Sequence, residues 1–148
     1  VFANLRDRFP HPYTEKDARD YIRLCADEDG RAFLARAITV DGVCVGSVTV
    51  TVGEDIYRRS GELGYFLGEP FWGKGIMTWA AREICREAFE KLDIVRIHAE
   101  PMAYNIGSRR VLEKAGFTLE GTLRQSVYKR GQMFDSYIYS LLKEEMRP

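Results

Sequence analysis

The sequence predicts an α+β fold, a mixed sheet with helices on its faces. Three observations carry that prediction. Turn signals of antiparallel hairpins stand toward both ends of the chain. Two helical segments lie between them, where crossovers would run. The length, 148 residues with 45% hydrophobic and 12% aromatic side chains, suits one core and one domain. No internal repeat or linker-like tract interrupts it.

Thr14-Glu15-Lys16-Asp17 fits a capping box, with an acid at the third helical position. Ala18, Tyr21, Ile22 and Cys25 follow at helical spacing, and this helix should stop near Gly30. Residues 32–40 and 43–52 are rich in β-branched residues and flank Asp41-Gly42, a two-residue hairpin turn. Residues 62–67 read as a third strand. A turn with two close glycines follows, Gly68-Glu69-Pro70-Phe71-Trp72-Gly73-Lys74-Gly75. Residues 76–92 form an amphipathic helix: Ala80, Ala81, Ile84, Ala88, Phe89 and Leu92 fall on one face, charged residues on the other. Residues 94–100 read as a strand and about 106–115 as a short helix stopped by Gly116. Two more strands, 117–128 and 133–142, flank the Lys129-Arg130-Gly131-Gln132 turn. The order is α, β, β, β, α, β, α, β, β, which does not describe a doubly wound parallel sheet.

Composition excludes several functions. Lys+Arg and Asp+Glu both number 22, so there is no basic excess for nucleic acid. Cys25, Cys44 and Cys85 are odd in number and widely spaced, so neither a disulfide framework nor a Cys-type zinc site is expected. His11 and His98 are too few for a histidine metal site. Reduced thiols suit a reducing compartment, hence a cytoplasmic protein. No apolar run approaches the ~20 residues that span a bilayer. The N-terminus has no signal-peptide pattern, and without an initiator Met it reads as part of a longer chain.

Two segments carry candidate chemistry. A glycine turn between a strand and a helix N-terminus is a recurring anion site, because free backbone N–H groups and the helix dipole favour negative charge. Gly73 and Gly75 let the main chain approach a phosphate, and Lys74 adds a cation. The competing reading is a plain strand-to-helix turn. Gly68 to Lys74 also satisfies the body of a Walker A loop, but Gly75 stands where Ser or Thr should hold Mg²⁺, and Pro70 has no N–H. That match is accidental, and nucleotide hydrolysis is not expected. The second segment is 99–108, at a strand end and helix start. Asn105 or Ser108 would cap the helix, leaving the other for a second task. Glu62 and Glu100 are acids on strands expected side by side, though strand carboxylates usually face solvent. His98 reads as a structural or surface residue rather than a base. Arg82 and Arg86, one turn apart, are solvated helix residues or a pair reaching one phosphate.

Residues 64–78 resemble the acetyl-CoA motif of the GNAT N-acetyltransferases. Asn105-Ile106-Gly107-Ser108, then 111–117 and Glu120-Gly121, resemble its RimJ/RimL-like branch, as does Phe9-Pro10-His11-Pro12-Tyr13-Thr14. The resemblance implies an α/β/α-layered, twisted, mostly antiparallel sheet with helices on both faces. Residues 1–148 would form one such domain, lacking the family's first strand. It implies acetyl-CoA as co-substrate, with no metal. Backbone N–H groups of Phe71, Trp72, Gly73, Lys74, Gly75, Ile76 and Met77 would hold the pyrophosphate. Tyr65, Phe66 and Leu67 would bond the pantetheine arm across a splayed gap, and Asn105 would contact the same arm. Pro70 opens the glycine pattern where the family has Arg or Gln. Leu112 stands where many relatives place a tyrosine that protonates the leaving thiolate; in this branch the residue matching Ser108 is the candidate instead.

The expected reaction is direct attack of an amine on the thioester. Ser108 would assist the leaving group, and Glu62 or Glu100 would assist deprotonation, Glu62 ranking first. The acceptor is a protein or peptide α-amine or a small-molecule amine, with no nucleic-acid or membrane partner, and the protein a monomer or homodimer. The alternative is a CoA-binding module without turnover, acting as a sensor or partner.

Overall fold

The computed structural model describes residues 5–8, 10, 12 and 14–147. Phe9, His11 and Tyr13 of the N-terminal motif therefore lie outside the described residues. The elements are α1 (Glu15–Glu28), β1 (Phe33–Val40), β2 (Val43–Val52), β3 (Ser60–Leu67), α2 (Ile76–Lys91), β4 (Arg96–Ala99), α3 (Ile106–Lys114), β5 (Thr118–Lys129) and β6 (Gln132–Leu142). The six strands form one sheet in the order β1-β2-β3-β4-β6-β5. Only β3 and β4 are parallel; the other neighbours are antiparallel. This is the mixed, mostly antiparallel sheet expected.

Local chemistry sets the ends of the elements. Thr14 and Asp17 cap α1 reciprocally: Asp17 N–H donates to Thr14 Oγ1 at 3.3 Å, and Thr14 N–H to Asp17 Oδ2 at 2.9 Å. Both hairpins close with two residues at positive φ, Asp41 and Gly42 in one, Arg130 and Gly131 in the other. That geometry matches the right-handed twist of the flanking strands. α3 ends in a Schellman motif: Gly116 N–H bonds Glu113 O and Phe117 N–H bonds Leu112 O, with Gly116 at φ 96°.

One expectation needs correction, and one helix shows what periodicity leaves open. β4 is shorter than the predicted strand and stops at Ala99, so Glu100 lies just beyond it. The apolar positions of α1 do not enter the core: none of its residues is buried, and Ile22 is 66% exposed. Helical spacing shows that residues share a face, not that anything covers it.

The core lies between one face of the sheet and helices α2 and α3. Alternation along each strand sends Leu34, Val50, Leu63, Ile97, Tyr139 and Leu141 to that face. α2 presents Ala80, Ala81, Ile84, Cys85, Ala88 and Phe89 to it. Leu112 of α3 is fully buried there, which explains its identity: a tyrosine at this position would have to bury its hydroxyl among apolar side chains. The opposite face carries Ser60, Glu62, His98 and Ser140, and Arg6 reaches it through an ion pair with Glu62.

Leu112→Ala should destabilise the fold by about 2–5 kcal/mol, since it leaves a cavity under α3. Urea unfolding measures this, and an unchanged midpoint would show that α3 is not held by the core.

Candidate active site

The site begins where two paired strands part. β3 follows β2 in register as far as Gly46↔Leu67, but its register with β4 ends at Glu62↔His98. Beyond Ala99 the chain turns its hydrogen bonds to β6 alone. Tyr137 N–H donates to Pro101 O at 3.0 Å, and Ala103 N–H to Asp135 O at 2.8 Å. Pro101 has no N–H to offer β3. A gap therefore opens between residues 63–67 and 99–103, with extended backbone on the β3 side for an extended ligand to pair with. Tyr65, Phe66 and Leu67 line that edge.

At the end of β3 the chain makes a tight 3₁₀ turn before α2. Phe71 N–H donates to Gly68 O at 3.0 Å and Trp72 N–H to Glu69 O at 3.1 Å. The expected phosphate cradle of Phe71 to Met77 is thus too long at its start: the first two donors already have acceptors. Trp72 instead braces the turn through its indole, Nε1–H to Leu67 O at 2.7 Å. From Gly73 onward the geometry changes. Gly73 and Gly75 have φ of 72° and 77°, a left-handed region that disfavours other residues. Space is not the constraint at either, for an added Cβ would meet nothing within 4 Å. Gly75 caps α2 without any side-chain bond, and the first intrahelical bond is Trp79 N–H to Gly75 O, so the first-turn N–H groups point outward. Gly73, Lys74, Gly75, Ile76 and Met77 lie at the positive end of a 16-residue helix, an arrangement able to take an anion. Lys74 stands over the Phe71 ring, 5.7 Å from its centroid. A cleft of about 400 Å³ beside the turn includes Gly75, Arg82, Arg86 and Lys114. Arg86 is bonded to Glu83 at 2.5 Å, so it does not act as a free pair with Arg82.

α3 brings the second segment to the gap. Asn105 is the helix cap, its Oδ1 accepting from Ser108 N–H at 3.2 Å. That resolves the choice the sequence left open: Ser108 is not the cap, and its hydroxyl lies 2.5 Å from the Tyr65 hydroxyl. Tyr65 also reaches the Ser108 carbonyl at 3.2 Å. Burial pushes the Tyr65 phenol up to about 12, against a smaller lowering effect of the Ser108 bond. Sequence reasoning missed the Tyr65 side chain, reading only its backbone. Nothing local marks a strand tyrosine as the partner of a serine 43 residues away.

The two acids occupy the other face. Glu62 pairs across the strands with His98 and is ion-paired with Arg6. The Glu100 Oε1 accepts from the Ser136 hydroxyl at 2.6 Å. Burial lowers the pKa of His98, whose Nδ1 is 3.4 Å from Ser60 Oγ. The gap thus has hydroxyls on the helix side and carboxylates on the open side. Among the described residues no group of three or more His, Cys, Asp or Glu could hold a metal.

Comparison with known proteins identifies the family. Residues 3–118 match the family model described as Acetyltransferase (GNAT) domain, and the chain belongs to that family. YdaF of Bacillus subtilis (strain 168), provisionally named a ribosomal N-acetyltransferase, is 35% identical over 133 residues, covering 90% of this chain and 70% of YdaF. Mycobacterium smegmatis RimJ in complex with a CoA disulfide superposes with a TM-score of 0.78 at 27% identity, over 90% of this chain and 64% of RimJ. The microcin C7 self-immunity acetyltransferase MccE, solved with acetyl-CoA and AMP, gives 0.76 at 27% identity, over 88% and 72%. The protein is an acetyl-CoA-dependent N-acetyltransferase: the acetyl group passes from the CoA thioester to an amine.

Two predictions test the site. Gly75→Glu places negative charge and a strained φ at the anion cradle, and should weaken CoA binding more than tenfold, at least ~1.4 kcal/mol. Calorimetry showing wild-type affinity would remove the cradle assignment. Alkali should weaken the fold. Burial raises Tyr65 to about 12 from 10.0 and Cys85 to about 12 from 9.0. The unfolded chain ionises first, so this stability is complete below about pH 9 and is lost as pH rises toward about 12. Melting temperatures from pH 8 to 11 should fall, and less steeply in Tyr65→Phe; identical slopes would discount the tyrosine.

Proposed function

We propose that the acceptor is the α-amino group of a peptide or protein N-terminus. The observation that supports this reading is the acidic face beside the gap, where Glu100 is exposed and Glu62, ion-paired with Arg6, stands on the neighbouring strand. Attack requires the neutral amine. An α-amine, with a pKa near ~7.8, deprotonates at neutral pH far more readily than a lysine side chain near ~10.4. The naming of YdaF for ribosomal N-acetylation supports the same class. A small-molecule amine is the second reading, favoured by the openness of that face.

The amine attacks the thioester directly. Buried Cys85, its thiol pushed up to about 12, is no nucleophile, while Cys25 lies on α1 and Cys44 beside the β1–β2 turn rather than on the strands that border the gap. Pyrophosphate rests on Gly73 to Met77, the pantetheine arm pairs with Tyr65 to Leu67, and Asn105 holds the arm from the helix side. Glu62 or Glu100 takes the proton of the ammonium. The departing CoA thiolate, with a pKa near the ~8.5 of a thiol, needs only a hydrogen bond, which the Ser108 hydroxyl gives. The three thiols fit a reducing compartment, the cytoplasm.

The experiment is a screen of free-amine peptides, N-blocked lysine peptides, polyamines and small amines for CoA release. Free-amine peptides should be the best acceptors, and turnover of polyamines alone would select the second reading. Ser108→Ala should lower kcat about ten- to a hundredfold with little change in KM for acetyl-CoA, below the ~10²–10⁴ of strong general acids. Since Asn105 is the cap, melting temperature should hold; a drop in melting temperature with normal kcat would make Ser108 a structural residue.

A further inference from the structure

Tyr65 joins β3 to α3 through its hydroxyl, which lies 2.5 Å from Ser108 Oγ and 3.2 Å from Ser108 O. Other contacts hold α3 in place. Asn105 caps it, Oδ1 accepting from Ser108 N–H at 3.2 Å. Arg109 ties the next residue to β6: its guanidinium lies 4.1 Å from the centroid of the Tyr137 ring, and its Nε–H donates to the Tyr139 hydroxyl at 3.3 Å. Leu112, one turn further on, is fully buried. The Ser108 main chain is therefore held independently of Tyr65, and the phenol is left to act on the Ser108 hydroxyl.

Two protons decide where that hydroxyl points. Each hydroxyl has one proton to give and lone pairs to receive another. In one arrangement Tyr65 donates to Ser108 O, and the Ser108 hydroxyl donates back to the Tyr65 oxygen. Both protons are then used between the two residues. In the other arrangement Tyr65 donates to Ser108 Oγ, and the Ser108 proton is free to point into the gap. An anion in the gap selects the second. A phenol is a stronger acid than an alcohol, and an alcohol oxygen is a better acceptor than one conjugated with a ring. Donation into Oγ also polarises the serine O–H and strengthens the bond it gives. Burial pushes the phenol up to about 12, so Tyr65 keeps its proton at neutral pH and remains a donor. Without the phenol, a serine in the first turn of a helix can turn its proton back to a carbonyl of the preceding residues.

We propose that Tyr65 is a positioning residue for the leaving group: its hydroxyl donates to Ser108 Oγ and so directs the Ser108 proton to the thioester sulfur. This rests on the reading of Ser108 as the group that bonds the departing thiolate. No proton changes owner. The C–S bond breaks with its electron pair on sulfur, the Ser108 O–H gives that sulfur a hydrogen bond, and Tyr65 keeps its own proton throughout.

The test uses the whole chain with acetyl-CoA and the best acceptor from the screen. Tyr65→Phe keeps the ring and the backbone of the open edge and removes only the hydroxyl. Its single-turnover rate should fall about tenfold, with CoA affinity in calorimetry unchanged. In a Ser108→Ala background the same substitution should change the rate by no more than about twofold, because no hydroxyl is left to direct. A wild-type rate in Tyr65→Phe overturns the proposal. An equal loss in both backgrounds also overturns it, since Tyr65 would then act without Ser108. Weakened CoA binding with a normal rate at saturation overturns it as well, because the phenol would then only shape the gap. A loss in Ser108→Ala without one in Tyr65→Phe takes down the role of Tyr65 alone. A wild-type rate in Ser108→Ala takes down the leaving-group reading together with it.

Discussion

The parting of β3 from β4 is the constraint on which the site depends. Backbone hydrogen bonds in a sheet are obligatory, and a strand that loses its neighbour must find another partner. β3 keeps β2 on one side to Leu67, and the chain after β4 keeps β6 to Ala103, so each strand remains paired on one side. The unpaired edges face each other across the gap. An extended ligand with amide groups completes them, and a thioester carried on that ligand arrives between the two layers of side chains.

The glycine turn is tied to the same seam. It follows β3 directly, so the strand that lines the gap also aims the N-terminus of α2. Trp72 ties the turn to Leu67, the last residue of the open edge. Positive φ at Gly73 and Gly75 leaves the first-turn N–H groups pointing outward, with no side chain capping them. A capped helix would be more stable here and would bind an anion less well.

Side chains divide the chemistry between the faces of the sheet. Period-two alternation sends Tyr65 toward α3, where its hydroxyl meets Ser108, and Glu62 to the opposite face. On the helix side burial raises the Tyr65 phenol, whose hydroxyl meets Ser108. On the other side Glu100 is exposed and Glu62 is ion-paired with Arg6. A sheet opened along one seam keeps the two sets apart while both face the same gap.

Much of this was legible in the sequence. Periodicity placed α2, two-residue turns placed both hairpins, and the glycine pattern placed the strand-to-helix turn, because each depends on residues within a few positions of one another. Beyond the expected neighbours β3 and β4, the strand order was not legible, nor that this pair is parallel, since both depend on how crossovers pack. The site divided along the same line. Asn105 and Ser108 were visible as a pair, but not that the Ser108 hydroxyl meets Tyr65, 43 residues away. Glu62 and Glu100 were visible as acids, but their difference lies in Arg6 and Ser136, 56 and 36 residues away. Local backbone chemistry is written in short windows of sequence. The environment of a side chain is set by whatever the fold brings beside it, and only the tertiary structure decides that.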